Sequence, residues 1–204
     1  MTPSLVDGRR LRRRQNRDAV VEALVRFFDA GEYEPGIAAV AEAAGLSARS
    51  VFRYFDDLDD LARAAIEHQQ RRLAPHWEHR IDTSLPVADR IEAFVAHRVQ
   101  LLEAMGDVGR VARLRAPAQP RVAEEVARVR SRLRAQIAEV FVGELASLPA
   151  PEAEAVLAAA DAICSFESHD LMRVAHHQDA ATTSRAMATA LTGLFDRAGS
   201  GNLQ

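Results

Sequence analysis

A chain of 204 residues, 48% hydrophobic and 27% charged, has the make-up of one folded domain or two, not of a disordered segment. No uninterrupted apolar run reaches the roughly 18 residues that cross a bilayer, and the N-terminal arginines are not followed by the apolar stretch of a signal peptide. No membrane partner is therefore expected, and a cytoplasmic location is. The net charge of −3 hides an asymmetry, because residues 1–17 carry six arginines against one aspartate, and local sign matters more than the total for a polyanionic partner. All 26 basic residues are arginine, which we read as composition, and the single cysteine, Cys164, excludes an intramolecular disulfide. It is read as a small buried hydrophobe. Aromatics are only 5% and β-branched runs of period two are absent, so an all-α fold is expected.

In chain order, residues 1–16 read as a basic, flexible arm that contains "GRRLRRRQNR". Val20, Ala23, Leu24, Phe27 and Phe28 then follow helical spacing up to Gly31 and define a first helix from about Asn16. "EYEPG" is a loop, and Ile37, Val40, Ala41 and Ala44 form a short second stripe stopped by Gly45. Ser47 is a natural N-cap for a third short helix, with Val51 and Phe55 four apart on its inner face. Asp57 caps a fourth helix to about Arg72, with Asp60 at the capping-box position and Leu58, Leu61, Ala62 and Ala65 as its buried stripe. Five longer helices follow, at Pro86–Met105, Asp107–Leu114, Pro120–Ala146, Glu152 to about His176, and Ala180–Ala198. The last four residues are expected to fray. The domain boundaries are thus 1–16, 17–72 and 73–204, with about nine helices in all.

The spacing of Ala41, Gly45 and Val51 is that of a helix-turn-helix. A small residue lets the second helix cross its partner, glycine permits the turn, and a branched residue packs the third helix back on the second. The third helix is then presented outward, as a helix that enters a DNA major groove must be. At this point "VVEALVRFFDAGEYEPGIAAVAEAAGLSARSVFRYFDDLDDLARAAI" resembles the DNA-binding domain of TetR-family transcriptional regulators over residues 17–66, with the family's glycine-to-phenylalanine core standing as Gly45 to Phe55. The resemblance implies an N-terminal helix-turn-helix domain followed by a larger helical ligand-binding and dimerisation domain. It also implies a homodimer, paired through the last two long helices, that binds a palindromic double-stranded DNA operator as a repressor and is released by a small hydrophobic or amphipathic effector.

Carried over residue by residue, Ser47 caps the reading helix. Ala48, Arg49 and Ser50 stand where bases or phosphates are touched, and Arg49 is the foremost base reader, since a guanidinium grips guanine O6 and N7 together. Phe52, Arg53 and Tyr54 complete the interface, the last two as phosphate holders, and Arg12, Arg13 and Arg14 of the arm are counted with them, the arm being open to two readings: a disordered solubilising tail, or a basic segment that enters the minor groove. The chain departs from the family at Gly36, Phe52 and Leu58, where threonine, tyrosine and lysine are common. Each change removes a donor or charge, so the arm is expected to make up the lost backbone affinity.

For the effector, the family layout indicates Phe94, His97, Leu101, Met105, Phe141, Cys164, Phe166 and His169, an apolar set with a few polar groups. No cofactor is expected. His76 and His79 could share a helical face, but zinc would need further ligands, so no metal site is assigned, and Trp77 is read as a packing anchor. Ser165, His169 and Asp170 could mimic a catalytic triad, yet they sit within six residues on one helix without an oxyanion turn, so no enzyme is expected. The remaining alternative is a helical interaction protein that keeps the fold without reading DNA.

Overall fold

The computed structural model describes residues 5–78 and 80–200, and every regular element among them is helical. The chain divides into two compact units, Met1–Ala74 with Met105–Ala123, and Pro75–Ala104 with Glu124–Gln204. Three expectations fall wholly or partly outside the described residues: the start of the arm at 1–4, His79 of the histidine pair, and the fraying of 201–204. No helix among the described residues is long and apolar enough to cross a membrane.

In the first unit, α1 spans Leu5–Asp29. The first helix therefore begins before the expected Asn16 and continues through the arginines of the arm. Arginine, leucine and glutamine are good helix formers and neither glycine nor proline interrupts residues 9–29, so the turn needs no buried stripe of its own once Val20, Ala23, Leu24 and Phe28 are fixed in the core. Phe27, assigned to the same stripe, is only half-buried. The helices α2 (Ile37–Ala43), α3 (Ala48–Val51) and α4 (Leu58–Leu73) follow, with Val40, Ala41, Val51, Phe55, Leu61, Ala62 and Ala65 closing the core against α1.

Three of the four aspartates at the head of α4 have separable tasks. Asp57 accepts from the Asp60 backbone N–H at 2.7 Å, and the Asp60 carboxylate accepts from the Asp56 N–H at 3.3 Å. Asp60 also pairs with Arg63, while Asp59 accepts from Arg115 Nη1 at 3.1 Å and from Gln119 Nε2 at 2.6 Å. Acid at this end satisfies free N–H groups and suits the helix dipole. Leu58, assigned to the buried stripe, is instead 38% exposed, because as the first helical residue it lies beyond the core that starts at Leu61.

The turn Ala74–Trp77 is 3₁₀ and leads into the second unit, in which α5 (Val87–Arg115) begins, its last residues being counted with the first unit. It is broken at Gly106, with φ 50° and ψ −150°, so the two helices read on either side of that glycine are present as two segments. The helices α6 (Pro120–Val140), α7 (Val142–Ala146), α8 (Ala150–Ile163), α9 (Phe166–Asp170), a π-helical turn at Leu171–Ala175 and α10 (Ala180–Ser200) complete the chain. Two helices expected to be continuous are therefore broken. Pro120–Ala146 stops at Phe141, whose ring is fully buried, stacked on Phe195 at 4.4 Å and edge-on to Phe94 at 5.5 Å. Glu152–His176 stops at Cys164, because the Ser165 hydroxyl accepts from the Ser168 N–H at 3.1 Å and starts a new helix there.

Arg98 is 0% exposed in the core of this unit. Its Nη1 donates to the Cys164 carbonyl at 3.0 Å, its Nη2 to the Leu133 carbonyl at 2.8 Å and to Gln136 Oε1 at 3.2 Å. The guanidinium also stands 4.7 Å from the Phe94 ring centroid. Burial lowers its pKa to about 10. At the edge of the same unit, Arg90 pairs with Glu144 and donates to the Val140 carbonyl at 2.8 Å.

Two measurements follow. Gly106→Ala should lower the urea midpoint by an amount equivalent to about 1–3 kcal/mol, the usual penalty for a side chain in that backbone region; since an added Cβ would meet nothing within 4 Å, an unchanged midpoint would show that the break relaxes freely. Burial raises the Cys164 thiol to about 12, so a chromogenic thiol reagent at pH 8 should release no colour from the native chain and one equivalent after guanidinium unfolding.

Candidate nucleic-acid interface

The interface starts from the way α2 ends. Leu46 N–H donates to the Ala41 carbonyl and Gly45 N–H to that of Glu42, both at 2.9 Å, with Gly45 at φ +69°. This is the Schellman pattern, which needs a residue that tolerates the left-handed region. At the other end of α2, Gly36 offers no side-chain cap, so that helix holds its start through packing at Val40 and Ala41.

Ser47 then caps α3, accepting from the Ser50 N–H at 3.2 Å, and its hydroxyl shares a 3.0 Å hydrogen bond with that of Ser50. The Ser50 hydroxyl is thus engaged in the cap. Helical hydrogen bonding continues past Val51, with Phe52 N–H on the Ala48 carbonyl at 3.2 Å and Phe55 N–H on the Val51 carbonyl at 3.0 Å. Val51 and Phe55 are 0% and 1% exposed, whereas Phe52 on the opposite side is 55% exposed. Arg49 shares that exposed side and has no hydrogen bond or ion pair among the described residues. Ala48 is half-buried at the start of the helix.

A cleft of about 510 Å³ opens beside the end of this segment, lined by Arg12, Arg13, Asn16, Arg53 and Tyr54. Asn16 Nδ2 donates to the Tyr54 phenol oxygen at 3.1 Å and Arg53 Nη2 approaches the same oxygen at 3.4 Å. Those hydrogen bonds, that of Asn16 foremost, hold the Tyr54 phenol below its ordinary pKa. The helical start of α1 explains the membership: positions 12, 13 and 16 fall on one face, while Arg14 turns away to face Asp18 at 3.9 Å on an exposed surface. Arg17 lies over the Phe55 ring at 5.0 Å. Asn16 was missed from sequence, and its position one turn after Arg12 is the signal that a helical arm would have supplied.

The residues assigned to an effector separate as follows. Phe94, Leu101, Phe141 and Cys164 are fully buried in the second unit, Phe166 and His169 nearly so, and His97 is half-buried. Met105 is buried but belongs to the first unit. Burial lowers the His169 pKa. The Ser165 hydroxyl, once considered beside His169 and Asp170, donates to the Ala162 carbonyl at 2.7 Å. Trp77 is buried, with the Arg132 guanidinium 4.4 Å from its ring and the Gln136 amide donating to its carbonyl at 3.0 Å. Among the described residues no three His, Cys, Asp or Glu side chains group as metal ligands.

No sequence-family model matches the chain, and no curated protein matches it significantly. Solved structures do. A transcriptional regulator from Rhodococcus sp. Rha1 superposes with a TM-score of 0.69 at 18% identity, covering 89% of this chain and 96% of its own. A putative TetR-family transcriptional regulator from Rhodococcus sp. gives 0.60 at 17% identity, covering 88% and 98%, and a TetR-like transcriptional regulator from Rhodococcus sp. RHA1 gives 0.57 at 22%, covering 99% and 100%. At such identities the likeness speaks to architecture, and the architecture is plain: the chain has the all-helical fold of TetR-like transcriptional regulators.

Proposed function

We propose that this chain is a sequence-specific DNA-binding transcriptional regulator, acting as a homodimeric repressor that a small hydrophobic or amphipathic effector releases from a palindromic operator. The observation that carries the reading is Arg49, an exposed guanidinium without an internal partner on the outer side of a capped helix whose inner side is locked by Val51 and Phe55. A cation left free there is available to a guanine edge. Ser47 and Ala48 sit at the helix start, near the backbone, and Phe52 offers an apolar surface suited to a thymine methyl group. Arg53 and Tyr54 fix register on phosphates, joined by Arg12 and Arg13, with Arg14 further from the reading segment. Ser50 contributes less as a reader, since its hydroxyl serves the cap.

Dimer formation rests on α8 and α10. Ala155 and Ala158 on α8, and Ala186, Thr189 and Gly193 on α10, are exposed small residues at helical spacing, which allow a partner's helices to approach closely. Two-fold symmetry would place two reading helices about one DNA turn apart. The effector would be taken up among Phe94, His97, Leu101, Phe141, Cys164, Phe166 and His169, with Met105 at the margin. Burial disfavours the charged form of His169, which suits a hydrogen-bonding role toward a ligand. A cytoplasmic location follows from the role.

A gel shift with the DNA upstream of the chain's own gene tests the reading. Arg49→Ala should weaken specific binding by roughly 5- to 150-fold, the equivalent of about 1–3 kcal/mol, while the affinity for random duplex stays near that of the parent. Equal loss on both duplexes would remove Arg49 as the reader, and a parent protein that retards no duplex would favour a helical interaction protein of the same fold. In sedimentation equilibrium the parent should weigh twice its 22.4 kDa chain mass, and Thr189→Arg should return it to the monomer; a monomeric parent would refute the dimer.

A further inference from the structure

Arg12 and Arg13 of the arm line one cleft with Arg53 and Tyr54, just after the reading helix. We infer that Arg12, Arg13 and Arg53, with Asn16 and Tyr54, form one seat for a single phosphodiester group of the DNA backbone in each protomer. The inference rests on the DNA-binding reading and specifies how the backbone is held.

Four observations converge on it. The cleft is lined by three guanidinium groups, an amide and a phenol, and by no carboxylate. The guanidinium groups come from α1 and from the turn that follows α3, so the positive charge is assembled by the fold and not by a run in the chain. The Tyr54 oxygen already accepts from Asn16 at 3.1 Å, with Arg53 at 3.4 Å on the same atom; its own proton is therefore the part of the phenol left to donate, and a phosphate oxygen is the acceptor that the surrounding charge favours. Finally, Arg53 and Tyr54 follow the reading segment within a few residues, so a phosphate seated there would set the register of Arg49 on the bases.

A shared seat and independent contacts differ in salt dependence. Each neutralised phosphate contributes about 0.9 to the slope of log K against log [salt] on duplex DNA. If the arginines share one phosphate, R12A/R13A/R53A should lower the slope by about 0.9 per bound protomer. Three separate phosphates would give a drop of about 2.7, and that result, or no drop at all, would overturn the inference. The measurement uses random-sequence duplex as well as an in vitro selected one, because a phosphate contact weakens both by the same factor. Tyr54→Phe should weaken both without changing the slope, since it removes a donor and no charge. An altered slope in that variant would contradict the assignment of Tyr54.

Scanning single methylphosphonates along the selected duplex locates the seat. One position per half-site should weaken the parent several-fold and leave R12A/R13A/R53A unaffected; no such position refutes the shared seat. Free phosphate is the rival source of the same chemistry. Inorganic phosphate added at constant ionic strength should leave DNA affinity and its own ³¹P line width unchanged, whereas broadening by the parent and not by the triple variant would assign the cleft to a free anion. If the parent binds no duplex, the functional reading itself fails. If Arg49→Ala loses specificity while the triple variant matches the parent's slope, only the seat fails. Circular dichroism melts of each variant exclude misfolding as the cause.

Discussion

Leu46 and Gly45 return their amide protons to Ala41 and Glu42, and the direction in which the chain leaves α2 follows from that pair of bonds. With the exit fixed, Ser47 arrives where its hydroxyl can cap α3, Val51 and Phe55 arrive facing α1 and α4, and the other side of the segment has no neighbour to pack on. The outward face is thus a consequence of the inward one. A residue with a side chain at position 45 would have to take the same left-handed geometry at a penalty, and the loss would appear as a rotated reading face before it appeared as a missing contact.

The second unit is organised by a different constraint. A fully buried guanidinium is costly unless its donors are used, and both terminal nitrogens of Arg98 donate, to carbonyls of α6 and at the end of α8, leaving only its Nε without a hydrogen-bond partner among the described residues. The α8 carbonyl is at a helix C-terminus, where partial negative charge favours a cation. The aromatic face of Phe94 supplies a further attraction. Arg98 therefore ties three helices at the position where α8 yields to α9, and the break at Ser165 gives the arginine its acceptor. The polar groups of this core serve its geometry first.

The helical periods of the first unit were legible because a buried stripe and a stop residue coincide there: Val20 to Phe28 before Gly31, Val40 and Ala41 before Gly45, Leu61 to Ala65 after Asp57. The Ser47 and Asp57 caps were legible for the same reason, a short polar side chain followed three residues later by the amide it accepts from. Where no stripe existed, as in residues 5–16, polarity was read as disorder, although arginine favours helix once a folded segment offers a template. The break at Phe141 was hidden because its cause is tertiary, an aromatic cluster, and the break at Ser165 because its local cap is set in an alanine-rich run that reads as continuous helix. Likewise, Arg12, Arg13, Arg53 and Tyr54 were each visible as basic or polar residues, but their meeting depends on the helix that Asn16 continues. Arg98 left no mark at all, since one arginine on an otherwise apolar stripe reads as solvated.

Gly106 interrupts α5 within the part of that helix that belongs to the first unit. In an unbroken helix, the azimuth of Val108, Val111 and Ala112 would be dictated by that of Ile91, Phe94 and Val99, one hundred degrees for every residue between them. The break resets that phase. The two halves therefore do not share one continuous helical phase, and the burial of Val108, Val111 and Ala112 depends on the backbone angles of Gly106 as well as on the number of residues before it.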